Sequence, residues 1–570
     1  MAKRYLSDAE LAAAFEDDND VMMDMSDEDI DSGDDPNYDP SETDSDCESD
    51  RSWSNSKNSK PAPVVATIQT TPIPTLTPIP MAIQTGPIPT TTQDASIQTA
   101  STTRDFQNIV WTDPVGRQQH FPFTGKYGMD PTISGILALA EPIDYYSLFL
   151  TQEIIQIMVN ETNLYATQIL ENANDITPSS RLHDWTPTDV DEMKQFIGLL
   201  GWMGIVKVPE LPNYWSKSKL FSFDLPKNVM SRNRFELLLR FWHFANNGEA
   251  IPGNRTHKLD KIFQKFIANF KSAYTPGEKI CIDETMVPFR GREYIPTKGH
   301  GYSIKRYKLC TEKGYTWNVS IYVGRDLTDD LTQTASHNVT LKLIEDLLGE
   351  GRTLYMDNFY TSVPLAYDLL KQKTHLVGTL RFNRKYIPQE VKDAKLVKGA
   401  ITAKESPEGV TVLKWRDKRD VQILSTCHLG TETVVTRNKQ KTEKIKPKCI
   451  VDYDSGKSPV DVSDQLASHS TALRRCNKWY RKLMIELIWS TTLVNAHFLY
   501  NLNSVNNAMN ITSFRQNVIC SLLEDYVVKS SARRHSANAV HHLVTHEQKK
   551  RARCASCYNL MAKKEKWLMG

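Results

Sequence analysis

The fold is decided by two short stretches of sequence, Lys279-Ile280-Cys281-Ile282-Asp283 and Thr353-Leu354-Tyr355-Met356-Asp357. Each is a mostly apolar run followed by an aspartate, a pattern that predicts a buried strand with a carboxylate at its end. Between them, residues 302–310 and 315–323 flank Glu312-Lys313-Gly314 and predict a β-hairpin, and residues 341–348 predict a helix stopped by Gly349. The order strand, hairpin, helix, strand is typical of a mixed α/β sheet.

The two aspartates are candidates for metal-dependent phosphoryl chemistry. Hard divalent ions such as Mg²⁺ take oxygen ligands, and a rigid strand end places a carboxylate well for that task. Asp283 on a first strand and Asp357 on a later one suit an RNase H-like mixed sheet. Taken singly, each is more often a turn or cap residue, so a third acid is needed to close a site.

Four acids compete for that third position. Asp461 and Asp464 are spaced i, i+3 and share a face if their segment is helical, whereas Asp452 and Asp454 lie shortly before them. Asp454-Ser455-Gly456 is typical of a turn. The spacing leaves all four open.

Helical patterns flank the strands. Thr188 with Asp191 indicates a capping box ahead of an apolar stripe, and Ser231 predicts a second cap. Ser362 with Pro364 in the first turn predicts a further helix start, and residues 460–503 have a helical pattern. Residues 386–444 contain short strands among charged loops, such as 421–426, and are interpreted as an insertion.

The N-terminal region differs in charge from the rest of the chain. The first 50 residues hold 19 Asp and Glu against Lys3 and Arg4, whereas the remaining residues hold 67 Lys and Arg against 49 Asp and Glu. An acidic tail on a basic body is common in nucleic-acid-binding proteins, although a solvated tail without a partner fits the charge equally well. Residues 1–60 predict an acidic disordered tail, and residues 61–130 a Pro/Thr-rich linker.

Cysteine content and hydropathy argue against two classes of protein. The nine cysteines of this 570-residue chain are mostly isolated, which disfavours a secreted disulfide scaffold. Residues 1–30 are acidic, unlike a signal peptide. No apolar run has membrane-spanning length, and the most apolar helical segment, 196–206, predicts buried core.

Two segments combine cations with aromatic residues and predict contacts to nucleic acid. The solvated face of a hairpin is the alternative for the first segment. In the second, Trp479 is interpreted either as a base-stacking residue or as helix core. The candidate DNA-binding residues are Arg290, Arg292, Lys298, Lys305 and Arg306 in the first segment and Arg474, Arg475, Lys478 and Trp479 in the second.

Four blocks of sequence carry a family resemblance. They are Ile282-Asp283-Glu284 with Phe289-Arg290-Gly291-Arg292, then Tyr355-Met356-Asp357-Asn358-Phe359-Tyr360, then Gly378-Thr379 with Asn383-Arg384, and Val460-Asp461-Val462-Ser463-Asp464-Gln465. Together they resemble the blocks of piggyBac-family transposases, a DDE/DDD-type family, and are similar to those of the animal piggyBac transposable element-derived proteins. The resemblance covers roughly residues 140–503. Several blocks in order are specific, whereas one alone is not.

The resemblance implies a domain organisation: an α/β protein with an RNase H-like catalytic core, an inserted β-rich domain and a discontinuous helical dimerisation and DNA-binding domain. In this chain the helical domain would comprise 131–277 and 468–530, the catalytic domain 278–385 and 445–467, and the insertion 386–444. Residues 531–570 would form a basic C-terminal tail with a truncated Cys-rich zinc module.

The resemblance also implies a chemistry. The catalytic, metal-binding acids would be Asp283, Asp357 and Asp461, with Asp464 as an accessory acid, holding two Mg²⁺ or Mn²⁺ ions. Family members act as homodimers on double-stranded DNA, cutting at transposon inverted repeats and joining at TTAA targets. The run Lys549-Lys550-Arg551-Ala552-Arg553 resembles a nuclear localisation signal, so the expected compartment is the nucleus, with no membrane partner.

Two departures from the family pattern bear on these expectations. Ser458-Pro459 stands where family members carry glycine, and proline suits a helix start. Only Cys554 and Cys557 remain of the zinc module, and they need two further ligands, for which His542 and His546 are the candidates. The alternative to an active transposase is therefore a domesticated DNA- or chromatin-binding protein. A third alternative is an RNase H-like nuclease with another substrate.

Overall fold

A mixed sheet of eight strands forms the centre of the part of the chain that the structure describes. The computed structural model describes residues 106–137, 140–172, 180–289, 303–323, 333–437, 443–474, 476, 478–504 and 508–523. The strands are β1 (Gly128–Met129), β2 (Tyr274–Thr275), β3 (Lys279–Pro288), β4 (Ser303–Thr311), β5 (Tyr315–Ile321), β6 (Thr353–Met356), β7 (His375–Thr379), β8 (Ile401–Glu405), β9 (Thr411–Arg416), β10 (Asp420–Ser425), β11 (Thr433–Arg437) and β12 (Glu443–Pro447). The eight central strands follow the spatial order β5-β4-β3-β6-β7-β10-β9-β8.

The central sheet is parallel in the middle and antiparallel on both sides. β3 pairs in parallel with β6, and β6 with β7. The remaining strands extend the sheet through antiparallel pairs, β4 and β5 beside β3 and β10, β9 and β8 beside β7. The predicted hairpin around Glu312-Lys313-Gly314 is confirmed as β4–β5. A mixed α/β fold with one large sheet is therefore confirmed.

The prediction that Asp283 ends its strand was wrong. The pairing of β3 with β6 stops at Ile282, but its antiparallel pairing with β4 continues to Pro288, opposite Ser303. The polar residues after Ile282 do not end the strand, because β4 supplies backbone hydrogen-bond partners along the other edge. Asp283 therefore lies inside β3, at the level where the parallel neighbour ends.

The strands of residues 386–444 divide between two sheets. β8, β9 and β10 extend the central sheet beyond β7, and β10 includes most of the strand predicted at 421–426. β11 and β12 form a separate antiparallel ribbon. The segment is rich in strands, but β10 is hydrogen-bonded to β7, so part of it is continuous with the central sheet. The boundaries of the domains remain predictions.

Most of the described helices lie before β2 and after β12. They are α1 (Pro131–Ile136), α2 (Pro142–Ser147), α3 (Gln152–Asn172), α4 (Val190–Ile205), α5 (Asp224–Val229), α6 (Arg232–Phe241), α7 (His257–Ala273), α8 (Ala335–Ile344), α9 (Val363–Lys371), α10 (Gln389–Asp393), α11 (Lys448–Gly456), α12 (Pro459–Ser468), α13 (Trp479–Glu486) and α14 (Leu493–Asn503). A π-helical segment, Leu487–Thr492, joins α13 to α14, and residues 511–523 form α15. Short 3₁₀ helices span Phe106–Asn108, Arg181–Asp184, Leu211–Trp215, Lys219–Phe221, Asn247–Glu249, Glu312–Gly314 and Glu345–Leu347.

The helix starts follow capping chemistry. Ser231 caps α6 and Ser362 caps α9, as predicted. The cap of α4 is Asp189, whose carboxylate accepts a hydrogen bond from the Glu192 backbone N–H, and the predicted capping box of Thr188 with Asp191 was wrong. Thr188 instead donates its hydroxyl to the Glu192 carboxylate at 2.6 Å.

The turn predicted at Asp454-Ser455-Gly456 was also wrong. These residues form the last turn of α11. The helix buries Cys449, Ile450 and Tyr453, and this apolar stripe at helical spacing keeps the segment helical to its end.

Trp489 organises the helical part of the core. Its ring stacks on Tyr146 with the ring centroids 5.7 Å apart, and its Nε1 donates to the Ile197 carbonyl at 3.1 Å. α13, the π-helical segment and most of α14 are buried around it. None of the described helices is both long and apolar enough to cross a bilayer.

We expect Gly201→Ala to destabilise this core. A Cβ at Gly201 in α4 would lie 2.2 Å from the Trp489 ring, which Tyr146 and Ile197 hold in place. Overpacking of this kind costs about 1–3 kcal/mol of unfolding free energy, measurable by chemical denaturation. The control is Gly135→Ala in α1, where a Cβ meets no atom within 4 Å. Equal stability of the two variants would contradict the packing described.

Candidate active site

Asp283 and Asp357 lie side by side on neighbouring parallel strands. Ile282 and Met356 are the last paired residues of β3 and β6, so the two aspartates follow them at the same level of the sheet, where strands lie about 5 Å apart. Both aspartates are half-buried. Asp283 Oδ1 accepts the N–H of the next residue at 2.7 Å, and Asp357 Oδ1 accepts the N–H two residues on at 2.8 Å. These bonds orient one oxygen of each carboxylate.

Asp461 lies in the first turn of α12. Pro459 occupies the first turn as well, so the Ser458-Pro459 departure begins a helix, as expected. α12 packs against β3 and β4. Asp461 is exposed, and no hydrogen bond or ion pair joins its carboxylate to another described residue.

The other three candidates for the third acid each have a basic partner. The ion pairs are Asp452 with Lys279 at 2.9 Å, Asp454 with Lys457 at 2.9 Å and Asp464 with Lys308 at 2.8 Å. A carboxylate held by an ammonium group gives up part of its charge to that contact. Within the described residues, Asp461 is the candidate whose oxygens are not engaged in this way.

The acids influence each other electrostatically. Burial raises the pKa of Asp283 to about 7, with further increases from the Asp357, Glu284 and Asp461 carboxylates. Burial also raises the pKa of Asp357, to which Glu284 adds, and that of Asp461, to which Asp464 adds. Asp283 therefore lies close enough to both other acids to experience their charge.

The acids are neighbours but do not form a complete ligand set. Among the described residues, no three His, Cys, Asp or Glu side chains are grouped closely enough to hold a metal ion. The donors nevertheless fit a hard divalent cation by type, since they are carboxylate oxygens and no ion pair joins Asp461 to a described residue. A bound cation would also stabilise the charged form of Asp283, whose pKa is raised by burial and further by the neighbouring carboxylates.

The span that carries the acids matches a known family of transposases. Residues 141–497, which include all three acids, match the family described as Transposase IS4. The chain is similar to human piggyBac transposable element-derived protein 2, with 26% identity over 79% of this chain and 77% of that protein. It is also similar to human piggyBac transposable element-derived protein 3, with 25% identity over 77% of this chain and 75% of that protein. The chain belongs to the piggyBac family of transposases.

A solved structure extends this piggyBac likeness to the fold. The chain is similar to a piggyBac transposase in a cryo-EM structure of its synaptic complex with hairpin DNA, with a TM-score of 0.62 and 26% identity. The similarity covers 77% of this chain and 94% of the other. It therefore includes far more than the strands around the acids.

Lys305 and Arg306, two of the predicted DNA-binding residues, are neighbours in β4, but Lys305 lies near the acids and Arg306 is buried. Lys305 pairs with Glu284 at 2.8 Å and lies 4.3 Å from the centroid of the Phe359 ring, close to the acids. The prediction for Arg306 was wrong, because its side chain is 1% exposed and paired with Glu486. Outside the described residues lie Arg290, Arg292, Lys298, Arg475, Cys554 and Cys557.

The second predicted DNA-binding segment is mostly engaged within the protein. Trp479 begins α13 and is 5% exposed, so of its two interpretations the structure favours helix core. Arg474 donates to the Tyr214 hydroxyl and lies 4.8 Å from the centroid of its ring. Lys478 is half-buried at the start of α13.

Sequence reasoning missed two arginines beside Asp357. Arg381 is exposed and donates from Nε to Asn358 Oδ1 at 2.8 Å, and its charge partly offsets the rise in the pKa of Asp357 that burial causes. Arg384 donates to the Asn358 and Phe359 carbonyls. Both follow β7, in the block with Asn383-Arg384 that carried the family resemblance. That block was a usable signal, but it was assigned no role.

We expect the affinity of this protein for divalent metal ions to rise with pH up to about pH 7. Asp283, with its pKa raised to about 7, must lose its proton to act as a ligand, so affinity should increase about tenfold per pH unit below that value and level off above it. Mn²⁺ titrations from pH 5.5 to 8.5 test this, with Asp283→Asn as the variant that removes the dependence. A wild-type affinity that does not change over this range would contradict the prediction.

The raised pKa of Asp283 also makes the folding stability of the protein depend on pH. The pKa of Asp283 is raised in the folded state, so between its unfolded value near 3.9 and about 7 the folded protein binds more protons, and stability falls as pH rises. We expect Asp283→Asn, without metal, to unfold at a higher denaturant concentration than the wild type at pH 8 and at a similar one at pH 4. A destabilised asparagine variant at pH 8 would contradict this.

Proposed function

We propose that this protein is a metal-dependent DNA transposase that cuts and joins DNA at inverted-repeat ends. The observation that carries the proposal is that Asp283 and Asp357 follow the last paired residues of two neighbouring parallel strands, while Asp461 lies on a helix that packs against β3. All three belong to a span that matches a transposase family. The pKa of Asp283 responds to both other carboxylates. Cut-and-paste transfer to TTAA targets is part of the same proposal and rests on the family resemblance.

An RNase H-like catalytic core is the fold we assign to the central sheet. The supporting arrangement is an antiparallel hairpin beside β3, followed by the parallel strands β6 and β7. The first acid then lies on the strand next to the hairpin and the second at the end of the adjacent parallel strand. The helices of residues 131–277 and 468–530 are assigned to dimerisation and DNA binding.

The chain's own residues suggest a division of roles at the reacting phosphate. Asp283, Asp357 and Asp461 are the groups that would hold Mg²⁺ or Mn²⁺, which supplies charge neutralisation and a lowered pKa for the attacking water or 3′-hydroxyl. Arg381, exposed beside Asp357, is placed to contact a phosphate oxygen. Contacts of this kind position the DNA without reading its sequence.

Double-stranded DNA is the proposed partner, and a homodimer acting in the nucleus is the proposed form. The similarity to a piggyBac transposase in a synaptic complex with hairpin DNA supports the choice of DNA. The dimer and the nuclear location rest on the family resemblance and on the basic run at 549–553, which lies outside the described residues. Zinc binding by Cys554 and Cys557 stays a prediction.

The test is a cleavage assay with the full chain. Purified protein is incubated with Mg²⁺ and a duplex carrying the inverted repeats that border this reading frame and a flanking TTAA. We expect nicks at the repeat ends and, with a second duplex, joined products. Cleavage that is absent with both Mg²⁺ and Mn²⁺, while the protein is folded and binds the duplex, would overturn the proposal.

A domesticated DNA- or chromatin-binding protein is the second candidate. It is favoured by the similarity to human proteins described as piggyBac transposable element-derived. Such a protein would bind DNA without cutting it, and Asp357→Ala would leave its DNA affinity and cellular role unchanged. Loss of the cellular role in that variant would favour the transposase.

A further inference from the structure

A buried lysine lies beside the acids. Lys308 in β4 is 0% exposed, and its ammonium group donates to Asp464 Oδ1 at 2.8 Å and to Ser463 Oγ at 3.3 Å. Both acceptors belong to α12, the helix that carries Asp461. An ammonium group without water contact requires a partner charge in the protein, because burying an unpaired charge is very costly. Asp464 supplies that charge.

The position of Lys308 in the sheet explains why it matters for the site. Lys308 is the residue directly opposite Asp283 in the antiparallel pair β3–β4, and residues opposite each other project from the same face with their Cβ atoms about 5 Å apart. The buried ammonium therefore lies on the face that carries the first acid. Held by Asp464, it is directed toward α12.

A second strand contact holds the same carboxylate. Thr285, two residues after Asp283 on the same face of β3, donates its hydroxyl to Asp464, with its Oγ1 3.0 and 2.8 Å from the two carboxylate oxygens. Asp464 is thus bound by β3 and β4 together, one helical turn after Asp461. Since residues at i and i+3 share a helix face, fixing Asp464 also fixes the direction in which Asp461 points.

Asp461 and Asp464, the two acids of α12, differ in their exposure and in their contacts. Lys308 is sealed from solvent, and the Asp464 side chain is 36% exposed but occupied by Lys308 and Thr285. Asp461 is exposed and has no such contact with a described residue. The family resemblance implied that Asp464 is an accessory acid. In the structure Asp464 is the counter-ion of Lys308.

We propose that Lys308 is a positioning residue for the metal-binding acids, an inference that rests on the proposed function. Its buried ammonium, through the ion pair with Asp464, clamps α12 to β3 and β4 so that Asp461 faces Asp283 and Asp357. The clamp also keeps the ammonium away from Asp283, where it would compete with a metal ion. Asp464 acts through this pair and not as a ligand.

The experiment measures Mn²⁺ affinity of the full chain without DNA, using Mn²⁺ itself as the probe in titration calorimetry or electron paramagnetic resonance. The variants are Lys308→Met, Asp464→Asn and the double variant, with thermal unfolding recorded for each. The matched control is Lys414→Met in β9, another buried lysine, which is 4% exposed and pairs with Asp420 at 3.4 Å far from the acids in the sheet order.

We expect Lys308→Met to weaken Mn²⁺ binding by about 10–100-fold, as loss of a residue that orients ligands does, while Lys414→Met leaves the affinity unchanged. The double variant should lose less Mn²⁺ affinity than the sum of the losses in the two single variants, because it removes both charges of the pair and leaves neither unpaired. It also keeps the proposal testable if Lys308→Met does not fold. Unchanged affinity in folded Lys308→Met, or strictly additive losses in the double variant, would overturn the inference.

The outcome is distinguishable from failure of the proposed function. If the wild-type protein binds Mn²⁺ and the Lys308→Met variant does not, but neither cuts DNA, the positioning role stands and the transposase proposal falls. If wild-type protein cuts DNA and Lys308→Met does so with the same Mg²⁺ dependence, the transposase proposal stands and the positioning role falls.

Discussion

Replacing Asp283 by asparagine is expected to lower the rate of Mg²⁺-dependent DNA cleavage by about a thousandfold or more. The substitution keeps the shape and the backbone contact but removes a carboxylate charge from the group formed with Asp357 and Asp461. Metal-assisted phosphoryl transfer derives several kcal/mol of transition-state stabilisation from such ligands, and each 1.4 kcal/mol is about tenfold in rate. Asp357→Asn should have an effect of similar size.

The control for this prediction is Asp454→Asn. Asp454 lies on α11, is 40% exposed and pairs with Lys457 at the surface, so its loss should change cleavage less than about twofold. The measurement is the initial rate of nicking on a labelled duplex, with DNA affinity determined in parallel. Cleavage by Asp283→Asn at a rate comparable to that of Asp454→Asn would remove the basis for the assigned site.

Replacing Glu486 by glutamine is expected to cost about 3–5 kcal/mol of unfolding free energy. Glu486 in α13 accepts from the Arg306 guanidinium, and both side chains are buried, at 1% exposed for Arg306 and 5% for Glu486. Arg306 Nε and Nη2 find no other partner in the described structure. Removing one member of such a pair leaves an uncompensated buried charge, which is strongly destabilising.

A second arginine provides the control for the buried pair. Arg352 is 0% exposed and pairs with Glu350, but its guanidinium also donates to the Pro276, Gly277 and Leu347 carbonyls. Glu350→Gln should therefore cost no more than about 1 kcal/mol. Chemical denaturation measures both variants, and the double change Arg306→Met with Glu486→Leu should recover much of the loss. Equal effects of Glu486→Gln and Glu350→Gln would contradict the description of Arg306.

The sequence predicted the order of elements around the site because those signals are local. The apolar runs before Asp283 and Asp357, the hairpin residues around Gly314 and the proline at the start of α12 each fix the backbone through nearby residues. The extent of β3 was missed because it depends on β4, whose pairing partner cannot be read from one strand alone. The helical end of α11 depends in the same way on what its apolar stripe packs against.

The cations of β4 show that a sequence pattern does not predict which face of a strand becomes buried. Residues 303–308 alternate, and one face of the hairpin was expected to meet solvent or DNA. Arg306 and Lys308 instead lie on the face covered by α12 and α13, where they meet acids 180 and 156 residues further along the chain. Periodicity tells which residues share a face of a strand, but not which face another element will cover.

The most direct test of the central claim is a structure determined with Mn²⁺, using anomalous scattering to locate the metal. We predict a peak bounded by the carboxylates of Asp283, Asp357 and Asp461 at about 2.0–2.3 Å, the range for divalent ions on oxygen ligands, with Asp464 still paired to Lys308. A metal bound elsewhere, or no metal at saturating Mn²⁺ while the three carboxylates stay apart, would contradict the account.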